Sequence, residues 1–227
     1  MQNIEKNLSS IQAQIRQAEI DHARAPGSVS LLAVSKKKPA SDIRTAWLAG
    51  QRDFGENYLQ EARQKMDELQ DLDICWHFIG ALQSNKTASV AEAFDWVHCV
   101  DRLKIAERLS AQRPAAMKPL NLCIQVNLDD EASKAGVTLG EVVELAEKIN
   151  ALPQIRLRGL MTIPAPRQEF TEQREAFARL AQALVSIQAK GISCDTLSMG
   201  MSGDMCAAIA EGASIVRIGS AIFGERA

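Results

Sequence analysis

Leu31-Leu32-Ala33-Val34-Ser35-Lys36-Lys37-Lys38-Pro39 is an apolar run that rises to a lysine, with a proline opening the next segment. A short unbroken run of branched and small apolar residues suits a parallel strand covered on both faces. Pro39 suits the first turn of a helix, where its missing N–H is no loss. Ile43, Ala46, Trp47 and Ala49 give that helix an apolar face before Gly50 stops it. The unit is therefore strand, loop, helix. A lysine at the end of its strand is expensive as packing, because an ammonium resists desolvation. It is useful as chemistry, because a desolvated lysine has a lowered pKa and becomes a nucleophilic amine able to form a Schiff base.

The same unit recurs along the chain. Strands are expected at 28–35, 53–56, 74–80, 96–100, 121–127, 157–163, 194–199 and 214–219. Helices are expected between them at 57–70, 84–94, 102–113, 139–152, 171–190 and 204–212. Eight strands alternating with helices within 227 residues predict an α/β fold, a single (β/α)8 TIM barrel, rather than an open doubly wound sheet. No Gly-x-Gly-x-x-Gly follows the first strand, which argues against dinucleotide binding. Residues 1–24 add an N-terminal helix, with Ile4, Leu8, Ile11, Ile15 and Ala18 at spacings of three and four. It is expected to cover the bottom or the side of the barrel. No shift in composition marks a boundary, so residues 1–227 read as one domain.

The formal net charge of −2, with no basic run beyond the three lysines at 36–38, argues against nucleic acid as a partner. No apolar run is long enough for a bilayer or a signal peptide, so neither membrane nor export is expected. Cys75, Cys99, Cys123, Cys194 and Cys206 are odd in number, and no pair has metal-ligand spacing. They read as buried free thiols in a cytoplasmic protein, with no metal.

In a barrel of this type the active face is where strands end and helices begin. Strand parity puts Lys36 on the face of Leu32 and Val34, and Lys38 shares that parity, so parity alone does not choose between them. Ser198-Met199-Gly200-Met201-Ser202-Gly203-Asp204 follows the seventh strand, and Gly219-Ser220 follows the eighth. Loops at those two places commonly form a phosphate site, with backbone N–H groups and hydroxyls at helix N-termini. Ser202 is open to a second reading, as a helix cap. Arg217, inside the last strand, is either paired with a buried carboxylate or aimed at a ligand. Asn57 is a helix cap or a ligand contact. His77 reads as a satisfied core histidine, and Lys134 as a loop lysine. Trp47, Phe54, Phe78, Phe94 and Trp96 read as packing.

Assembled, these residues resemble the YggS/PROSC family of pyridoxal phosphate (PLP) homeostasis proteins over nearly the whole chain. The resemblance rests on Leu-Leu-Ala-Val-Ser-Lys at 31–36, Phe-Gly-Glu-Asn-Tyr at 54–58, Trp-His-Phe-Ile-Gly at 76–80 and Leu-Gln-Ser-Asn-Lys at 82–86. It continues in Arg-Gly-Leu-Met at 158–161, Gly-Met-Ser at 200–202 and Val-Arg-Ile-Gly at 216–219. It implies a barrel like the N-terminal domain of alanine racemase, the PLP fold type III. It also implies PLP as a cofactor bound covalently by Lys36. Ser202, Gly219 and Ser220 would hold the phosphate, with the backbone of Met201. Arg217 would face the pyridine nitrogen, and Asn57 would lie near the ring's oxygen. Ser220 stands where threonine is expected, and Gly203 where a polar residue is.

The resemblance implies a role in vitamin B6 homeostasis. It makes PLP the partner, with PLP-requiring apo-enzymes as recipients, and a monomer is expected. An arginine at the pyridine nitrogen disfavours its protonation and weakens the ring as an electron sink. The racemases add a tyrosine base from a second domain; here the sole tyrosine is Tyr58, in the second βα unit. The expectation is a protein that binds PLP without clear turnover. Two alternatives remain: a racemase-like enzyme of weak activity, and a Schiff-base aldolase barrel without PLP.

Overall fold

In the computed structural model, residues 3–131 and 134–224 are described. The expectations placed on residues 1–2, 132–133 and 225–227 lie outside them. Eight parallel strands close into a barrel in the order β1 to β8. They are β1 Ser30–Val34, β2 Asp53–Glu56, β3 Cys75–Phe78, β4 Trp96–Val100, β5 Leu120–Val126, β6 Ile155–Thr162, β7 Thr196–Ser198 and β8 Ile215–Ile218. Closure is made by β1 on β8, with Leu32 paired to Arg217 and Ala33 to Ile218. The helices are α1 Ile4–Asp21, α2 Ala40–Leu48, α3 Leu59–Glu68, α4 Thr87–Ala93, α5 Leu103–Gln112, α6 Val142–Asn150, α7 Phe170–Gln188, α8 Met205–Ala210 and α9 Ser220–Phe223.

The expected elements are present, most with ends drawn in, although β5, β6 and α7 begin one or two residues earlier than expected. Pro39 sits one residue before α2 as its cap, in extended backbone at φ −69°. The helix expected over 84–94 opens as a 3-10 turn at Ser84–Lys86. α9 was not expected, because four residues carry no readable periodicity. α1 packs on the side of the barrel, against α2, α8 and α9, rather than under it. Its apolar stripe Ile4, Leu8, Ile11, Ile15 and Ala18 is buried there. The Asn7 amide donates to the Ile222 carbonyl at 3.0 Å, and Arg24 donates to the Ile209 carbonyl at 2.8 Å. The buried Glu19 carboxylate takes the amides of Gly27 and Val29, which fixes the break between α1 and β1.

The apolar core lies between the strands' outer faces and the helices. Phe54, Phe94, Phe177 and Phe223 are fully buried there. Each such side chain contributes roughly 1.5–3 kcal/mol of burial free energy. Trp47 and Trp96 are only partly buried. Gly159 sits at a register shift between β5 and β6 at φ +155°, and a Cβ there would lie 1.9 Å from the Thr196 carbonyl oxygen. The Arg-Gly-Leu-Met motif thus contains a glycine the sheet requires.

Candidate functional site

Lys36 follows β1 in a tight turn, and Lys37 next to it takes φ +60°. The turn is held from below. Ser35 Oγ donates to Glu56 Oε1 at 2.6 Å. Lys65 Nζ, from α3, reaches Ser35 O at 2.8 Å, Glu56 Oε1 at 2.7 Å and Glu61 Oε1 at 2.6 Å. The Lys37 amide donates to Glu61 Oε1 as well. Burial pushes the Glu56 carboxyl above its usual range, although Lys65 acts against this.

A cavity of about 210 Å³ opens over the strand C-termini, and it gathers every residue expected of the site. Lys36 and Asn57 line it from the first and second βα units; Met201 and Ser202 line it from the loop after β7. Arg217, Gly219 and Ser220 complete it from β8 and the turn beyond. Lys38 lines it too, so the structure leaves the choice between Lys36 and Lys38 where parity left it.

Arg217 is buried, and no carboxylate among the described residues hydrogen-bonds it. Its fork donates to Ser198 O at 2.6 Å, Ser198 Oγ at 2.9 Å and Thr162 O at 2.8 Å. Burial pulls its pKa down to about 10, against Asp204, which raises it, and the group stays cationic at neutral pH. Asn57 does not cap α3; that position is Tyr58. Asn57 Oδ1 is buried and meets no hydrogen-bond donor among the described residues. Such an acceptor is expensive to leave unmet. Gly80, at the end of the Phe-Ile-Gly run, lets the Asn57 backbone come close: a Cβ on it would lie 2.1 Å from Asn57 O.

The phosphate-cup expectation is refined in two ways. The helices after β7 and β8 span six and four residues, so their dipoles contribute little. Ser202 is not the cap of α8; Asp204 is. The Met201 amide donates to Asp204 Oδ1 at 2.6 Å, and burial pushes that carboxyl upward. Ser202 and Ser220 are exposed, and neither hydroxyl bonds another described residue, which leaves both available to a ligand. Lys134 pairs with Glu131 at 2.6 Å and does not line the cavity. Tyr58 is exposed beside it, in a separate cleft.

Sequence reasoning missed what lies under Arg217. His77, expected as a core histidine, is buried inside the barrel and stacks on Trp96 at 5.4 Å. Its ring nitrogens lie 3.0 Å from Asp53 Oδ1 and 2.9 Å from His98 Nε2. His98 Nδ1 lies 2.8 Å from Ser198 Oγ. The shared inward parity of His77 and His98 was the available signal. The donor atoms of Asp53, Cys75 and His77 lie within 4.8 Å of one another. They satisfy each other, with Cys75 Sγ 3.4 Å from His77 Nε2, and burial holds that thiol protonated. Cys99, Cys123 and Cys194 are buried as expected; Cys75 is half-buried and Cys206 is exposed, because α8 turns it outward.

The family model for the alanine racemase N-terminal domain matches residues 6–227. The pyridoxal phosphate homeostasis protein of Pseudomonas aeruginosa is 56% identical over 226 residues, covering 100% of this chain and 97% of that protein. The Escherichia coli K12 protein of the same name is 52% identical over 229 residues, covering 100% of this chain and 98% of its own. PipY of Synechococcus elongatus, solved with PLP bound, superposes with a TM-score of 0.86 at 38% identity, covering 98% of this chain and 100% of PipY. The chain belongs to the pyridoxal phosphate homeostasis proteins, a family built on the alanine racemase N-terminal domain.

Proposed function

We propose that this chain binds PLP in the cavity over the barrel, held covalently by Lys36, and that it stores and hands over the cofactor in vitamin B6 homeostasis. The observation that carries the reading is the convergence of Lys36, Asn57, Ser202, Arg217 and Ser220 on one cavity. The residues fit the group. The buried Asn57 Oδ1, an acceptor without a donor among the described residues, would take a hydrogen bond from the ring's hydroxyl. The Ser202 and Ser220 hydroxyls, with the backbone of Gly219, would hold the phosphate; the Met201 amide, expected there too, is turned to Asp204. PLP when bound supplies an aldehyde for amines and a ring that withdraws electrons.

Arg217 stays cationic; facing the pyridine nitrogen, as the resemblance implies, it would keep protons off it, and the ring would then be a weak electron sink. Met201, Ser202 and Ser220 are exposed at the rim, so water and incoming amines reach the lysine. Both features favour exchange of the cofactor over turnover of an amino acid. Residues 1–227 would act as one domain and as a cytoplasmic monomer, with PLP-requiring apo-enzymes as recipients. No helix among the described residues is long and apolar enough to cross a membrane.

Absorbance spectroscopy tests this. The purified protein is expected to show the visible band of lysine-bound PLP. Lys36→Ala should lose it and Lys38→Ala should keep it. A wild type that stays colourless after PLP is added would overturn the cofactor reading. Racemisation and α-deuterium exchange across the common amino acids should be absent, and robust turnover of any one would overturn the storage role.

A further inference from the structure

We infer that Asp53, His77, His98 and Ser198 form one polarised hydrogen-bonded line through the barrel, which fixes the Arg217 fork and ties its charge to a carboxylate at the opposite mouth. The meaning for the cofactor rests on the PLP reading above; the line itself does not.

The line is continuous. Its steps are 3.0 Å from Asp53 Oδ1 to His77 Nε2, 2.9 Å from His77 Nδ1 to His98 Nε2 and 2.8 Å from His98 Nδ1 to Ser198 Oγ. A last step of 2.9 Å joins Ser198 Oγ to Arg217 Nη1. Its members come from β2, β3, β4, β7 and β8, so it crosses the barrel interior rather than following one element. Asp53 is the first residue of β2, at the end away from the cavity, and its side chain is 39% exposed.

The chemistry sets one direction. Arginine only donates, so Ser198 Oγ accepts from Arg217. A carboxylate only accepts, so His77 Nε2 carries the proton that faces Asp53. His77 Nδ1 is then the acceptor and takes the Nε2–H of His98. His98 Nδ1 is left to accept the Ser198 hydroxyl proton. Both imidazoles are thus neutral Nε2–H tautomers, and every buried donor meets an acceptor. Burial, with His77 and Arg217 nearby, keeps His98 neutral. The reverse direction would set a lone pair of a neutral His77 against the Asp53 carboxylate, or else require a second positive charge on His77 beside the buried His98 and Arg217. The stack on Trp96, with the rings nearly parallel at 7°, holds the plane of the His77 ring. The other ionisable groups facing the line are Cys75 from β3, Cys123 from β5 and Asp204 before α8, with Asp73 and Asp95 acting on Cys75. None of them interrupts the steps.

Ser198 and His98 are therefore positioning residues for Arg217, and Asp53 sets their orientation from the far end. The experiment is proton–nitrogen NMR of isotope-labelled histidine rings in protein without PLP, followed by absorbance of the PLP-loaded protein. His22, the third histidine, is the internal reference. In the wild type, His77 and His98 are both fixed as Nε2–H. Asp53→Asn, whose amide can donate or accept, loses that fixed tautomer, and Asp53→Glu regains it. In the loaded protein, Asp53→Asn and Ser198→Ala shift the visible maximum, whereas Asp73→Asn, a neighbouring acid outside the line, does not. His98 carrying its proton on Nδ1, or averaging between forms, would overturn the line. A maximum unmoved in both variants would overturn its link to the cavity, showing that the backbone acceptors alone hold Arg217. A wild type that takes up no PLP would sink the function proposal and that link together, while the histidine spectra still decide the line.

Discussion

The Lys65 ammonium, on α3, donates at 2.8 Å to the carbonyl oxygen of Ser35, the residue directly before Lys36. The same ammonium neutralises the buried Glu56, whose carboxyl is raised above its ordinary 4.5, by burial first. Lys65→Met should therefore destabilise the protein by about 3–5 kcal/mol, because it leaves a buried carboxylate without its cation. Glu56→Gln should be milder, since the amide avoids the desolvation cost and can still accept from Ser35. The sign with pH follows. A carboxyl raised in the folded state contributes stability below its unfolded pKa and loses it as pH rises through the folded one. Urea titrations should thus show Lys65→Met partly recovering on acidification from neutral pH towards that range, with Glu56→Gln lacking this response.

Gly80→Ala should act on the cavity from behind. A Cβ at Gly80 would stand 2.1 Å from Asn57 O, so the backbone of Asn57 must move. Strain of this kind costs about 1–3 kcal/mol. Thermal melts should show that loss, and dialysis should show weaker PLP retention than in wild type. Retention unchanged despite a lowered Tm would separate Asn57 from the ligand.

The barrel was legible because each strand is an apolar run and each helix has an apolar stripe, and both signals are local. Lys36, Arg217 and the serines were legible because a polar residue at a strand end stands out. The groups that hold them were not. Lys65 reads as one more surface lysine on a polar helix until the fold sets it against Ser35 and Glu56. His98 and Ser198 are 100 residues apart, and only closure of the barrel brings them to 2.8 Å. The amide of Met201 read as a phosphate donor, yet it is turned to Asp204, a side-chain contact that spacing does not reveal.

The two hydroxyls of the cup can be weighed against the rest of the cofactor. A hydrogen bond to a charged group contributes about 1.5–3 kcal/mol, so each lost serine hydroxyl should weaken PLP binding by roughly tenfold or more. Ser202→Ala with Ser220→Ala should therefore raise the Kd for PLP while leaving that for pyridoxal, which lacks the phosphate, nearly unchanged. Fluorescence titration with both ligands measures the gap. A gap as wide as in wild type would assign phosphate binding to backbone groups alone.

Acid stability should report on His98. Its ordinary pKa is 6.5, and burial, then His77 and Arg217, hold it well below that in the folded protein. The unfolded chain therefore binds a proton below about pH 6.5 that the folded protein refuses. The sign is a loss of stability as pH falls, about 1.4 kcal/mol per pH unit for this one group. His98→Gln keeps a donor and an acceptor but cannot take up that proton. Its unfolding free energy should be lower than wild type at pH 7.5 and fall less steeply between pH about 6.5 and 5. Parallel slopes in the two proteins would mean that His98 is already protonated in the fold, which would also remove the acceptor that Ser198 needs.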